Sequence, residues 1–109
     1  MKKKQLRNRV VAGVEGYLED KGYKVEERDF LGFMVARDGG ELVFLSIEPC
    51  FGDFPDRHVS RKEFEDACVA WLITHGEGGN GVRCDLVDLR VVKEHEGFAR
   101  HEIGHMRLY

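Results

Sequence analysis

Long hydrophobic runs are missing from this sequence. No apolar stretch approaches the roughly 20 residues that cross a bilayer, so no membrane partner is expected. A paired-cysteine framework is missing too. Cys50, Cys68 and Cys84 are odd in number, lack C-x-x-C spacing and fall in three different elements, which speaks against an intramolecular disulfide set. Cys68 and Cys84 read as small buried hydrophobes. Charge of one sign is scarce as well: 17 Lys and Arg against 20 Asp and Glu leave a net −3. That argues against a protein whose whole surface grips nucleic acid. The sequence shows no internal repeat and no low-complexity tract. Met-Lys-Lys-Lys resembles the head of a signal peptide, but Val10–Val14 is shorter than the ~7–15 apolar residues a signal requires. A cytoplasmic protein is expected.

What is present suits a single globular domain spanning residues 1–109, with 34% charged and 42% hydrophobic residues. From about Lys3 to Lys21, Leu6, Val10, Val14, Tyr17 and Leu18 recur at helical spacing, and Lys21-Gly22 supplies a stop. Gly13 and Gly16 inside this helix suggest that another element packs closely there. Tyr23–Arg28 and Phe30–Arg37 read as strands. Asp38-Gly39-Gly40 then makes a tight turn into Glu41–Glu48, the densest apolar run, which Pro49 is expected to end. Ser60-Arg61-Lys62-Glu63 fits a capping box before a second helix with Phe64, Ala67, Cys68, Trp71 and Leu72 on one stripe. A glycine-rich connector over 76–81 lacks the Lys-Ser/Thr of a phosphate loop and reads as a linker. Val82–Val92 is a further strand whose alternation slips at Leu86-Val87, as a bulge would cause. Phe98–Tyr109 fits a short strand, a short helix or both. A helix between the third and fourth strands implies a crossover and a parallel pair. The fold class is therefore α/β, in the order helix-strand-strand-strand-helix-strand, with a mixed central sheet flanked by helices.

Five stretches occur in that order: Tyr17-Leu18-Glu19-Asp20-Lys21-Gly22-Tyr23, Ala36-Arg37-Asp38-Gly39, Leu42-Val43-Phe44-Leu45, Val59-Ser60-Arg61-Lys62 and Val82-Arg83-Cys84-Asp85-Leu86-Val87. In these the chain resembles the YraN-like family of the restriction-endonuclease-like (PD-(D/E)xK) superfamily. The resemblance implies a single restriction-endonuclease-like domain. It also implies a site with an acid on the first helix, an Asp on the core hairpin and an E-x-K on the next strand, together holding Mg²⁺. Phosphodiester hydrolysis needs hard oxygen ligands for the ion and a cation beside the attacking water. Here those positions fall on Val11, Phe33, Ser46 and Glu48. The expected reading is a pseudo-nuclease that needs no cofactor and is kept for binding. Its partner is a nucleic acid, a protein or a second copy of the chain. The residues offered to phosphate are Lys2, Lys3, Lys4, Arg7, Arg9, Arg61 and Lys62, with Arg57 nearby. One alternative is a Mg²⁺-dependent nuclease whose site has migrated to Glu48 with Asp29 or Asp53.

A second motif points elsewhere. His101-Glu102-Ile103-Gly104-His105 is a literal H-E-x-x-H. On a helix, His101 and His105 would share a face and could ligate Zn²⁺, with Glu102 as general base, as in a zinc peptidase. No third ligand follows it, leaving His58, His75 and His95 upstream.

Overall fold

Val10, Val14 and Leu18, spaced at four residues, are all buried along one stripe of the first helix, α1 (Lys3–Asp20). The computed structural model describes residues 3–54, 56–76, 81–93 and 96–108, the side chains of residues 3, 4, 6, 93 and 96 excepted. Lys2, most of the glycine-rich connector, His95 and Tyr109 lie outside the described residues. Gly13 and Gly16 face solvent, and a Cβ built at either would meet nothing within 4 Å. The close neighbour expected there is absent, because both glycines sit on the side of α1 away from the sheet.

Five strands follow: β1 (Lys24–Phe30), β2 (Phe33–Asp38), β3 (Glu41–Cys50), β4 (Val82–Lys93) and β5 (Glu96–Arg107). The second helix, α2 (Arg61–His75), lies between β3 and β4. The sheet runs in the order β1-β2-β3-β4-β5, with β3 and β4 parallel and the other neighbours antiparallel. The chain is thus a compact α/β domain with an open, five-stranded mixed sheet and two flanking helices.

Alternation along the central strands sorts the core into two layers. Val43, Leu45, Ile47, Met34, Ala36 and Val87 face α1. Leu42, Phe44, Phe33, Val35, Val82, Cys84 and Leu86 face Phe64, Ala67, Cys68 and Trp71 of α2. The aromatic rings meet edge to face, Phe44 lying 5.9 Å from both Phe33 and Phe64. Each such fully buried side chain contributes roughly 1.5–3 kcal/mol. Ser60 caps α2 as its motif predicts, its hydroxyl accepting the Glu63 amide at 3.3 Å.

Four local expectations are corrected. The turn between β1 and β2 falls at Leu31-Gly32, both with positive φ (52° and 88°), so Phe30 ends one strand and Phe33 begins the next. Pro49 does not stop β3. It pairs with Leu89 of β4, beyond Leu45, where β2 pairing has ended and the open side of β3 tolerates a missing N–H. No bulge lies at Leu86-Val87 of β4, whose pairing with β3 is continuous from Val82 to Arg90. The sequence alternation slips because both faces of β4 are buried, with Cys84 and Leu86 toward α2 and Val87 toward α1. Finally, the C-terminal stretch is one long strand, whose pairing with β4 shifts register between Glu102 and Met106 and again between Glu96 and Gly97.

Candidate functional site

The two helices begin at the same end of the sheet. Arg7 near the start of α1 reaches the Ile47 carbonyl at 3.5 Å, and Arg57 ahead of α2 reaches Ser46. This is the carboxyl end of the parallel β3–β4 pair, where α/β sheets commonly place ligands. The residues picked out by the nuclease resemblance also lie there, but they do not converge.

Val11 stands on the α1 side, in a cavity of about 230 Å³. Met34, Leu45 and Ile47 form its apolar lining, and Arg7, Asn8, Arg28 and Asp29 its polar rim. Phe33 lies on the opposite face, 5% exposed and packed on Phe44. Ser46 shares that α2 face, since Leu45 and Ile47 point to α1. Its hydroxyl accepts from Arg57 Nη1 at 3.0 Å and its carbonyl from Nη2 at 2.9 Å. Glu48, two residues on, is exposed. A helix acid at position 11 and an E-x-K at 46–48 would thus be separated by the thickness of the sheet. The residues present do not fit a Mg²⁺ site, and Asp29 and Glu48 are divided in the same way.

On the α2 side the functional position holds a salt-bridged cluster instead. Asp88, 1% exposed, accepts from Arg57 Nε and, at 2.7 Å, from Arg100 Nη2. Arg100 also lies over the Phe54 ring, 5.1 Å from its centroid. Beside them opens a cavity of about 140 Å³ lined by Asp56, Arg57, Leu86, Arg100 and Glu102. Nε, Nη1 and Nη2 of Arg57 are spent on Asp88, Ser46 and the Val87 carbonyl, so this guanidinium holds the loop before α2 to the sheet.

A second buried polar network sits under α1. Asp85, with no exposure, accepts from Arg83 Nε at 3.0 Å, from the Gly104 amide at 2.8 Å and from His101 Nε2 at 2.8 Å. Arg83, 3% exposed, also reaches Asp38 at 2.8 Å, Glu41 at 2.9 Å and the Tyr23 hydroxyl at 2.5 Å. The Tyr17 hydroxyl lies 3.2 Å from His101 Nδ1. Burial pushes the Asp85 carboxyl up, but hydrogen bonds from His101, Gly104 and Arg83 outweigh it and hold Asp85 below its ordinary value. Burial likewise opposes charge on Arg83, yet its bonds to Asp85 and Asp38 leave its pKa raised. The Tyr23 phenol is pushed up to about 12, chiefly by burial and then by the Asp85 charge. Sequence reading missed this network. Its visible signal was Arg83-x-Asp85, opposite charges two residues apart and hence on one face of an otherwise apolar strand.

The H-E-x-x-H motif lies on β5, not on a helix. His101 opposes Val87 and turns toward α1 and Asp85. His105, past the kink where Gly104 takes φ 70°, pairs with Glu102 and meets the His58 ring at 5.3 Å, on the side of the loop before α2. The two histidines that were to share a Zn²⁺ therefore point to opposite faces, and Glu102 is committed to one of them. Among the described residues no three His, Cys, Asp or Glu side chains are grouped to hold a metal ion.

Of the basic residues offered to phosphate, Arg7 and Arg9 are exposed in the second turn of α1, and Arg61 and Lys62 in the first turn of α2. Lys3 and Lys4 belong to the start of α1, and their side chains lie outside the described residues. Arg61 pairs with Glu65 at 2.8 Å and Lys62 with Asp66 at 2.7 Å. Among the described residues no helix is long and apolar enough to cross a membrane. No family model and no curated protein matches the chain.

Proposed function

We propose that this chain is a restriction-endonuclease-like domain, YraN-like in its element order, that binds nucleic acid without cutting it. The element order supports the fold assignment: one helix, three antiparallel strands, a crossover helix and a parallel strand. One observation carries the loss of chemistry. Val11 lies on one face of the sheet while Phe33, Ser46 and Glu48 lie on the other, and Arg57 occupies Ser46. Binding is supported by the two helix starts. Their positive dipole ends and exposed Arg7, Arg9, Arg61 and Lys62 stand at one end of the sheet, an arrangement suited to phosphates.

The test is fluorescence anisotropy with a labelled DNA duplex and a labelled single strand over a salt series. Affinity should fall steeply between about 50 and 200 mM salt, and Arg7→Ala with Arg9→Ala should flatten the slope. Absence of binding at low salt would overturn the reading. Mg²⁺- or Mn²⁺-dependent cleavage lost in Glu48→Ala would instead establish the migrated-site nuclease.

A protein partner is the second reading, favoured by the outer face of α2. Val69 and Ile73, one turn apart, are 56% and 81% exposed there, and the Arg61 and Lys62 charges are matched by Glu65 and Asp66.

A further inference from the structure

The two edges of the sheet are built differently. β1 carries Lys24, Glu26, Glu27, Arg28 and Asp29, and its pairing with β2 is broken twice. Charges and irregular pairing are the usual devices that keep an edge from joining another strand. The opposite edge, β5, is less protected from Gly97 to Glu102, where its charges are Arg100 and Glu102, both on the α2 face, and the α1 face carries Ala99 and His101. Gly97 to Glu102 pair with β4 in unbroken register, without proline or lysine. Ala99 is exposed there, as is Ile103 at 58%.

From this contrast we infer that β5 pairs with β5 of a second copy, antiparallel and centred on His101, joining two sheets into one. A two-fold axis perpendicular to the sheet keeps each face continuous, so residues directly opposite must share a face. Arg100 and Glu102 face α2, where both line the cavity beside Arg57. Ala99, His101 and, by alternation, Ile103 face α1. Centring the pair on Arg100 or on Glu102 sets like charges opposite each other. Centring it on His101 sets Arg100 opposite Glu102 of the second copy, twice by symmetry, and Ala99 opposite Ile103. The centre is not crowded, because each His101 side chain is only 7% exposed and is held inward by Asp85 and Tyr17. Beyond Ile103, Gly104 turns the strand and ends the pairing. This contact is independent of the nucleic-acid reading and uses none of its residues.

The test uses two charge patterns at the same exposed positions, measured by light scattering coupled to size exclusion and by sedimentation velocity. Wild type should show twice the 12.5 kDa of the chain. Ala99→Lys with Ile103→Lys sets Lys opposite Lys at both ends and should weaken the dimer at least about tenfold. Ala99→Lys with Ile103→Glu sets Lys opposite Glu and should retain it. Circular dichroism should be the same for all three, since neither side chain is in the core. A monomeric wild type at about 100 μM would overturn the inference, as would two double variants that associate equally well. Those affinities are ones a biological contact should exceed.

Discussion

His101 Nε2 lies 2.8 Å from Oδ2 of Asp85, a carboxylate on the neighbouring strand with no solvent exposure. A histidine that looks from the sequence like a metal ligand is instead one of several donors closing a buried ion-pair network. Removing the acceptor should therefore be costly. Asp85→Ala strips the counter-charge from Arg83 and the partner from the Gly104 amide. We expect a loss of about 3–5 kcal/mol in urea denaturation, against under about 0.5 kcal/mol for exposed Glu48→Ala.

The same carboxylate sets the acid limit of the fold. Because the folded Asp85 pKa is below the ordinary 3.8, its contribution is fully present above that value and is lost as pH falls through the folded pKa. Stability should drop below about pH 4, and Asp85→Asn should lack that component. Parallel profiles for the two proteins below pH 4 would show that another group sets the limit.

Tyr23 governs the alkaline side. With its phenol raised to about 12, the network keeps its full contribution below the ordinary 10.0 and loses it as pH rises through the folded value. A spectrophotometric titration should resolve one tyrosine ionising near 12, and Tyr23→Phe should remove it. The hydroxyl's loss, with Arg83 and Asp85 each missing a bond, should cost about 1–3 kcal/mol.

Arg57 should not tolerate lysine. Its planar fork bonds Asp88, the Ser46 hydroxyl and the Ser46 carbonyl at once, which a single ammonium cannot do. Arg57→Lys should cost about 2–3 kcal/mol in thermal or urea unfolding, with Asp88 left to Arg100. A neutral result would mean that the loop before α2 is held by its apolar contacts alone.

The three thiols should differ sharply in reactivity. Burial pushes Cys84 up to about 12 and raises Cys68 as well, whereas Cys50 is partly exposed though also raised. A thiol reagent at pH 8 should label Cys50 slowly in the native protein and reach Cys68 and Cys84 only after unfolding. Rapid native labelling of Cys84 would contradict the packing of β4 against α2.

Gly16 offers the opposite kind of change. It is exposed within α1 with open space around its Cβ position. Gly16→Ala should stabilise by about 0.5–1 kcal/mol in thermal unfolding, through helix propensity alone.

Much of the architecture could be read locally. Helical spacing located α1 and α2, Ser60 marked a cap that the structure contains, and Asp38-Gly39-Gly40 marked the hairpin between β2 and β3. These signals are legible because spacing and turn chemistry act within a few residues. Where local rules failed, a neighbouring strand had overridden them. Pro49 stays in β3 because β4 pairs with it and β2 has already ended. The apparent slip in β4 reflects two buried faces, which a one-sided alternation rule cannot express.

The candidate site was the least legible part, and parity explains why. That Val11, Phe33, Ser46 and Glu48 stand where the resemblance calls for acids and a lysine is plain from residue order alone. That β3 turns Leu45 and Ile47 toward α1 and Ser46 toward α2 depends on how the packed layers meet. That choice places Val11 on one side of the sheet and the other three positions on the other. It also gathers Arg83, Asp85, Tyr23 and His101, drawn from β4, β5 and the segment before β1, into one buried network. Their sequence separations leave no local trace, because a buried charge is satisfied by whichever partners the packed chain brings within reach.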